Sequence, residues 1–411
     1  MGSGIVEAIL PARLGRRFRF VVVASWISNL GDGISLAAGP LLIASLTRDP
    51  LMVALAPVMQ QLPWLLFGLY AGAVVDRVDR RIVLVTANLC RAAVLLMLAT
   101  AIAGGWVGIG GVLVALFLFG LCETFADTTS SALTPMLVRS EDLGTANSRL
   151  FGGYIVVNQL AGPPIGAALF AAGMALPFVT ELVCVVFGAM LVARITLPAL
   201  QRAGGASHVR RDIAEGVRWV WHNPPVRTLA LIIVSFNVTW GAGWSVLVLY
   251  ATVHLGMGEV GFGLLSSATA VGGLVGTASY GWLERHVRLV TLMRVCLSLE
   301  VLMHLCLALT TAPWVAMVIM FGFGVYAFVW ATLSQTVRQR AVPLDFQGRV
   351  GSVYSVGVYG GMAVGSLLGG VIARHFGITA PFWFAFVATG LILASVWRQL
   401  PHLSHAEVPT R

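Results

Sequence analysis

The sequence contains no lysine: all 26 basic residues are arginine, set against 17 acids for a formal net charge of +9. A Walker A loop needs its lysine to hold the phosphates, so the chain has no nucleotide-driven motor of that kind. Charge of either sign is scarce, at 10% of 411 residues. There is no H-E-x-x-H and no C-x-x-C. The five cysteines, Cys90, Cys122, Cys184, Cys296 and Cys306, each lie inside an apolar run without a paired neighbour. That excludes a disulfide frame or a zinc site and leaves them as packing residues. No polar stretch is long enough for a catalytic domain, so no catalytic residue, cofactor or metal is expected. The first apolar run follows Arg13, Arg16, Arg17 and Arg19 and ends without a small-residue cleavage site, so it reads as a permanent helix.

What is abundant is apolar: 58% of residues are hydrophobic, and the mean hydropathy is +0.88, far above a soluble domain. Apolar runs of 18 or more residues recur along the chain, each able to cross a hydrocarbon layer about 30 Å thick at about 1.5 Å per helical residue. They lack the alternation of outer-membrane strands, so the fold class read here is an all-α membrane protein. Twelve spans are expected, at 18–46, 52–75, 81–104, 108–137, 149–173, 176–198, 227–253, 261–283, 289–310, 313–334, 349–373 and 379–398.

The loop arginines are not spread evenly. The N-terminus, Asp76 to Arg81, Arg139 to Arg149, Gln201 to Arg227, Glu284 to Arg288, Arg338 to Arg349 and the tail carry nearly all of them, and the alternate loops hold only Arg48 and Arg374. By the positive-inside rule both termini are cytoplasmic, which requires an even number of spans, in a cell (inner or plasma) membrane. The excess positive charge is therefore a topology signal, and no nucleic acid partner is expected. The partners expected are the lipid bilayer, protons and a small-molecule substrate, with the chain acting as a monomer.

The domains read as a cytoplasmic N-terminus 1–17, a six-helix bundle 18–198, a cytoplasmic loop 199–226, a second six-helix bundle 227–398 and a cytoplasmic tail 399–411. Within the loop, "RRDIAEGVRWVW" puts Ile213, Val217 and Val220 on one helical face, the pattern of a helix lying along the membrane interface. The halves echo each other: Gly162 and Gly166 in span 5 are answered by Gly365 and Gly369 in span 11 at one offset of 203, and Asp142 by Asp345 at the same offset.

Ionisable groups inside spans are costly, so each is a functional candidate. Asp32 lies near the middle of span 1, and Glu123 and Asp127 stand one turn apart in span 4. A carboxyl group in such a place can hold a proton and release it to water or to a cationic substrate; the plainer alternative is a locked structural pair. Arg91 in span 3 reads as the structural partner of an acid, with Asp32 and Asp127 both in reach. Glu181 sits near the outer end of span 6, where it would simply meet the interface. Glu300 and His304, spaced i and i+4 in span 9, read as a local hydrogen-bonded pair, with a proton relay as the alternative. Asn237, Trp240 and Trp244 share one face of span 7, and span 10 adds Tyr326, Trp330 and Gln335. An aromatic cavity of this kind suits a bulky amphipathic ligand, with ordinary packing as the alternative.

The charged stretch "GAVVDRVDRR" resembles the G-x-x-x-D-R-x-x-R-R signature of the major facilitator superfamily, matched at Gly72, Asp76, Arg77, Arg80 and Arg81. "NQLAGPPIGA" is similar to the glycine-proline motif of helix 5 in the exporter branches, matched at Gly162, Pro163 and Gly166, with Asn158 and Ala167 in place of its first and last glycines. "EDLGTANS", "AEGVRWVWHNPPVRTL" and "QGRVGSVYS" resemble the branch of enterobactin exporters, macrolide efflux proteins and related drug pumps. The resemblance implies two pseudo-symmetric six-helix bundles that rock about a midplane site, with helices 1 and 4 among those lining the cavity. It implies a secondary transporter rather than an enzyme, coupling protons to export of a hydrophobic or amphipathic organic compound such as a drug, antibiotic or siderophore. It also implies a switch role for the signature loop, with Gly72 permitting close approach to span 11 and Asp76 acting as a conformational latch. The helix 4 arginine of the best-known drug-proton antiporters is missing here, so no role carries over for it. The alternatives are an importer of a sugar or other metabolite and, from another class, a membrane-bound lipid enzyme or a non-transporting sensor.

Overall fold

The computed structural model describes residues 14–75, 77–194 and 209–400. Every regular element among them is helical, as apolar segments without water to satisfy their backbone require. The spanning helices are α1 Arg16–Leu46, α2 Pro50–Val75, α3 Arg80–Ala103, α4 Ile109–Leu137, α5 Leu143–Ala172 and α6 Leu176–Ala193. They continue with α7 Pro224–Trp244, α8 Gly258–His286, α9 Leu289–Leu309, α10 Pro313–Ala341, α11 Leu344–Phe376 and α12 Ala380–Val396. Eleven are long and apolar enough to cross a membrane; α12, at 17 residues, is the shorter apolar helix at the place of the twelfth span. The molecule is a multi-pass membrane protein.

Proline sets several helix starts. It occupies the first turn of α6, α7, α10 and α12, where its missing N–H leaves no intrahelical bond unmade. In α5 it acts differently. The helix runs regularly over Leu143–Gly153, widens into a π-helical stretch at Tyr154–Ala161, and resumes at Gly162–Ala172. Pro163 and Pro164 cannot donate to the carbonyls of the preceding turn, and the ladder relaxes into the wider winding just ahead of them.

Two compact units divide the described chain, one within Met1–Leu42 and Leu66–Ala206, the other within Ile43–Leu65 and Ser207–Arg411. The first half of α2 thus groups with the second unit, where Trp64 stacks on Tyr359 at 5.3 Å. Lipid offers no hydrophobic gain for helix association, so close contact between small residues has to supply the attraction. In the first unit, a Cβ added at Gly162 or Gly166 of α5 would run into the backbone of Gly33 or Ile34 on α1. In the second, the same change at Gly365 or Gly369 of α11 would meet the backbone of Val238 or Ala242 on α7. The glycine pairs spaced 203 apart therefore do equivalent work in each unit.

The amphipathic segment forms a helix, Val209–His222, that packs on the second unit. Gly216 meets the Arg349 backbone, Trp219 stacks on Phe346 at 5.7 Å, Val220 is buried, and Glu215 pairs with Arg349 at 3.1 Å. Val217 is 47% exposed; the missing side chain of Gly216 lets the helix settle a third of a turn away from the face drawn through Val217. Ile213 lies in a stretch whose side chains are outside the description.

Candidate functional site

In the first unit a buried ionic cluster centres on Arg91 of α3, which is 1% exposed. Its guanidinium meets the carboxylate of Asp32 on α1 and lies 3.1 Å from Glu181 Oε1 on α6, while its face rests 4.4 Å over the Phe119 ring of α4. Ser35, one turn beyond Asp32, donates its hydroxyl to Glu181 Oε2. The pairing of Arg91 with Asp32 is one of the two the sequence allowed. Its second bond corrects the reading of Glu181, which is fully buried and does not reach the interface.

The local sequence explains this convergence. Asp32 stands in Gly31-Asp32-Gly33, and each glycine clears a path for a neighbour. A Cβ at Gly31 would crowd Glu181 Cγ at 3.0 Å, and one at Gly33 would strike the Asn158 backbone in the π-helical stretch of α5. Asn158 then donates from Nδ2 to the Asn29 carbonyl at 3.1 Å. The residue that departs from the glycine motif is thus the one tying α5 to α1.

Depth grades across the cluster. A cavity of about 50 Å³ is lined by Asp32, Arg91 and Asn88 together with Asp127 of α4. Asp127 is exposed, Glu123 half-buried, Asp32 8% exposed and Glu181 0% exposed. Glu123 and Asp127 both lie within electrostatic reach of Arg91. Four carboxyl groups therefore surround one guanidinium.

The second unit holds a larger cavity, about 360 Å³, lined among others by Asn237, Trp240, Glu300, Tyr326, Trp330 and Arg338. Trp240 stacks on Phe323 at 4.2 Å, and Tyr326 meets Phe323 edge-on at 5.6 Å. Trp244 packs 5.1 Å from Trp240 and supports that wall from behind. Asn237 spends its Nδ2 on the Ile233 carbonyl at 2.7 Å. Five of the six aromatic and amide candidates from the sequence, Gln335 included, thus line one space. The group that sequence reasoning missed is Glu300: besides its i, i+4 partner His304 at 3.3 Å, it accepts from the Tyr326 hydroxyl at 2.9 Å and lines the cavity.

The signature loop is only partly described. Asp76 lies outside the described residues. A Cβ added at Gly72 would meet nothing within 4 Å. Asp79 caps α3, accepting from the Arg81 amide at 2.8 Å. The Arg81 side chain bonds the Ala193 carbonyl, where a cation meets the negative end of α6, and Arg77 is exposed. Arg80 is half-buried in the first turn of α3.

Eleven membrane-spanning helices and a shorter twelfth, with buried charged and aromatic groups in each unit, define a membrane transporter of the major facilitator class. Its sequence matches the family described as transmembrane secretion effector over residues 10–409, and the chain belongs to that family. It is 30% identical over 398 residues to the multidrug efflux pump Tap of Mycobacterium tuberculosis, covering 90% of this chain and 91% of that protein. Against the enterobactin exporter EntS of Citrobacter koseri it is 24% identical over 396 residues, covering 92% and 90%. Its fold is similar to the crystal structure of a bacterial homologue of the iron transporter ferroportin in an inward-facing state, with a TM-score of 0.76 at 18% identity, covering 95% of this chain and 99% of that one.

Proposed function

We propose that the protein is a proton-coupled exporter of hydrophobic or amphipathic organic compounds, drugs or siderophores among them, working by alternating access as a monomer in the cell membrane with both termini in the cytoplasm. The efflux pump and exporter among its relatives support the direction and the substrate class. No residue is assigned a catalytic role.

The observation that carries proton coupling is the charge count around Arg91. With all four acids ionised, the cluster would carry a net charge of −3 on one arginine, and two of those acids, Asp32 and Glu181, are buried, where removing a charge from water costs several kcal/mol per ion. Carrying protons removes that cost. The exposed Asp127 is the entry, the half-buried Glu123 stands one turn along α4, and Asp32 is the group whose protonation releases Arg91 from α1 while Glu181 still holds it. Such a step changes how α1 and α3 are tied, and so biases one conformation over another. The aromatic cavity of the second unit takes the organic substrate. The signature loop governs switching, so Asp76→Asn slows transport more than it weakens binding.

Dye efflux from cells or vesicles with and without a proton gradient tests the reading. The wild type loses efflux when the gradient is collapsed, and Asp32→Asn impairs it while the protein stays folded in the membrane. Efflux that persisted unchanged without a gradient would exclude proton coupling.

A further inference from the structure

Glu300 differs from every acid of the Arg91 cluster in having no permanent cation beside it. Its carboxylate is 10% exposed, and its partners are the Tyr326 hydroxyl at 2.9 Å and His304 at 3.3 Å. His304 is fully buried, and neither of its ring nitrogens finds a hydrogen bond of good geometry. Among the described residues α9 and α10 carry three arginines, of which Arg340 pairs with Glu284 at 3.6 Å. Arg294, on α9 itself, rests over the Trp397 ring at 4.8 Å. Arg338, at the far end of the cavity, rests over the Tyr354 ring at 4.7 Å. From Tyr326 to Arg338 is twelve residues along α10, or about 18 Å of axial rise. Across a rise of that length two charges attract only weakly, and the Arg338 guanidinium is engaged with the Tyr354 ring.

The walls supply the rest of the chemistry. Trp240, Phe323, Tyr326 and Trp330 give the space ring faces that attract a positive charge and accept flat apolar groups. At about 360 Å³ the cavity falls within the range of small-molecule sites. A carboxylate backed by a tyrosine hydroxyl and a histidine rather than an arginine, at one side of an aromatic box, is the arrangement that selects a cation carrying bulky apolar substituents and rejects an anion of the same shape.

The geometry points to Glu300 as the counter-charge of an organic-cation subsite contained within the second unit. The physiological ligand rests on the reading of the chain as an exporter, but the subsite is tested without transport. Purified full-length protein is titrated with tetraphenylphosphonium, a permanent cation with no proton to exchange, and with triphenylphosphine oxide, its neutral analogue, following quenching of tryptophan fluorescence. The wild type binds both. Glu300→Gln weakens the cation at least tenfold and leaves the oxide within twofold. Glu300→Asp, which keeps the charge but withdraws it by one methylene, weakens the cation about threefold and the oxide not at all, so it serves in place of the glutamine variant should that one fail to fold. Trp240→Ala weakens both probes. A wild type that binds no cation, a glutamine variant with wild-type cation affinity, or an aspartate variant that affects both probes equally or neither would each overturn the assignment. A wild type that binds the cation yet shows no gradient-dependent efflux of it would sink the transport reading and leave the subsite standing.

Discussion

The two units share one packing scheme and differ in how they treat buried charge. Glycines 203 residues apart bring α5 against α1 in the first unit and α11 against α7 in the second. On that common scaffold, the first unit buries Asp32 and Glu181 around a fixed arginine, whereas the second buries Glu300 beside a tyrosine hydroxyl and a histidine. A carboxylate with its own arginine is complete in the absence of ligand and changes only when a proton arrives. One without an arginine is completed by whatever enters the cavity. On the proposed reading, the proton chemistry belongs to one half of the chain and the ligand's charge to the other.

Removing the arginine is the strongest way to break that comparison. Arg91→Met strands two buried acids and should destabilise the protein by about 3–5 kcal/mol, read as a lower unfolding temperature in detergent and loss of transport. Adding Asp32→Asn and Glu181→Gln to the same chain removes the stranded charge; stability should return and coupled transport should not. A triple variant as unstable as the single one would mean that packing, not charge, explains the loss.

Next in size is the shared scaffold. Gly166→Val and Gly369→Val each press a side chain into a facing backbone and should cost about 1–3 kcal/mol, by similar amounts in the two units. Gly72→Ala, which meets open space, should leave folded-state stability within about 0.5 kcal/mol. Unequal costs at Gly166 and Gly369 in thermal unfolding would show that the internal repeat is sequence coincidence.

A subtler contrast compares two hydroxyls that each serve a buried glutamate. Tyr326→Phe takes a donor from Glu300, and Ser35→Ala takes one from Glu181, which keeps Arg91. The tyrosine change should cost about 1–2 kcal/mol and the serine change less; the opposite order in thermal shifts would mean that Glu300 is better compensated than its neighbours indicate. Smallest of all is Arg349→Ala, which breaks the rim pair with Glu215 and should cost below about 1 kcal/mol, with its effect fading in salt.

The span count was readable in the sequence because run length against bilayer thickness is a one-dimensional property. Arg91 was readable as a partnered charge for the same reason: an arginine in hydrocarbon cannot stand alone. Its second partner was hidden, since distance from a helix end says where Glu181 sits along the membrane normal and nothing about the gap that Gly31 opens for it. Gly31-Asp32-Gly33 did carry a signal, an acid with a small residue on each side, and a reading alert to that pattern would have expected two helices to converge there. Glu300 was treated as a local pair because its helix spacing to His304 is visible in the sequence and its bond to Tyr326, 26 residues away, is not. The contact of Val209–His222 with α11 was not legible because glycine counts as neutral in a hydrophobic pattern, although Gly216 is where the two backbones meet.

The widened turn of α5 has a mechanical consequence. A π-helical stretch holds slack in a helix: each surplus residue corresponds to about 100° of rotation. If the slack moves one position along the helix, the side chains it passes swing round while most of the hydrogen-bond ladder stays made. Asn158 sits inside that stretch, bonded to the Asn29 carbonyl, and Gly33, next to Asp32, packs on its backbone. Because Gly162 and Gly166 just beyond meet the α1 backbone with no side chain between, the slack is confined to the turns beside the acid.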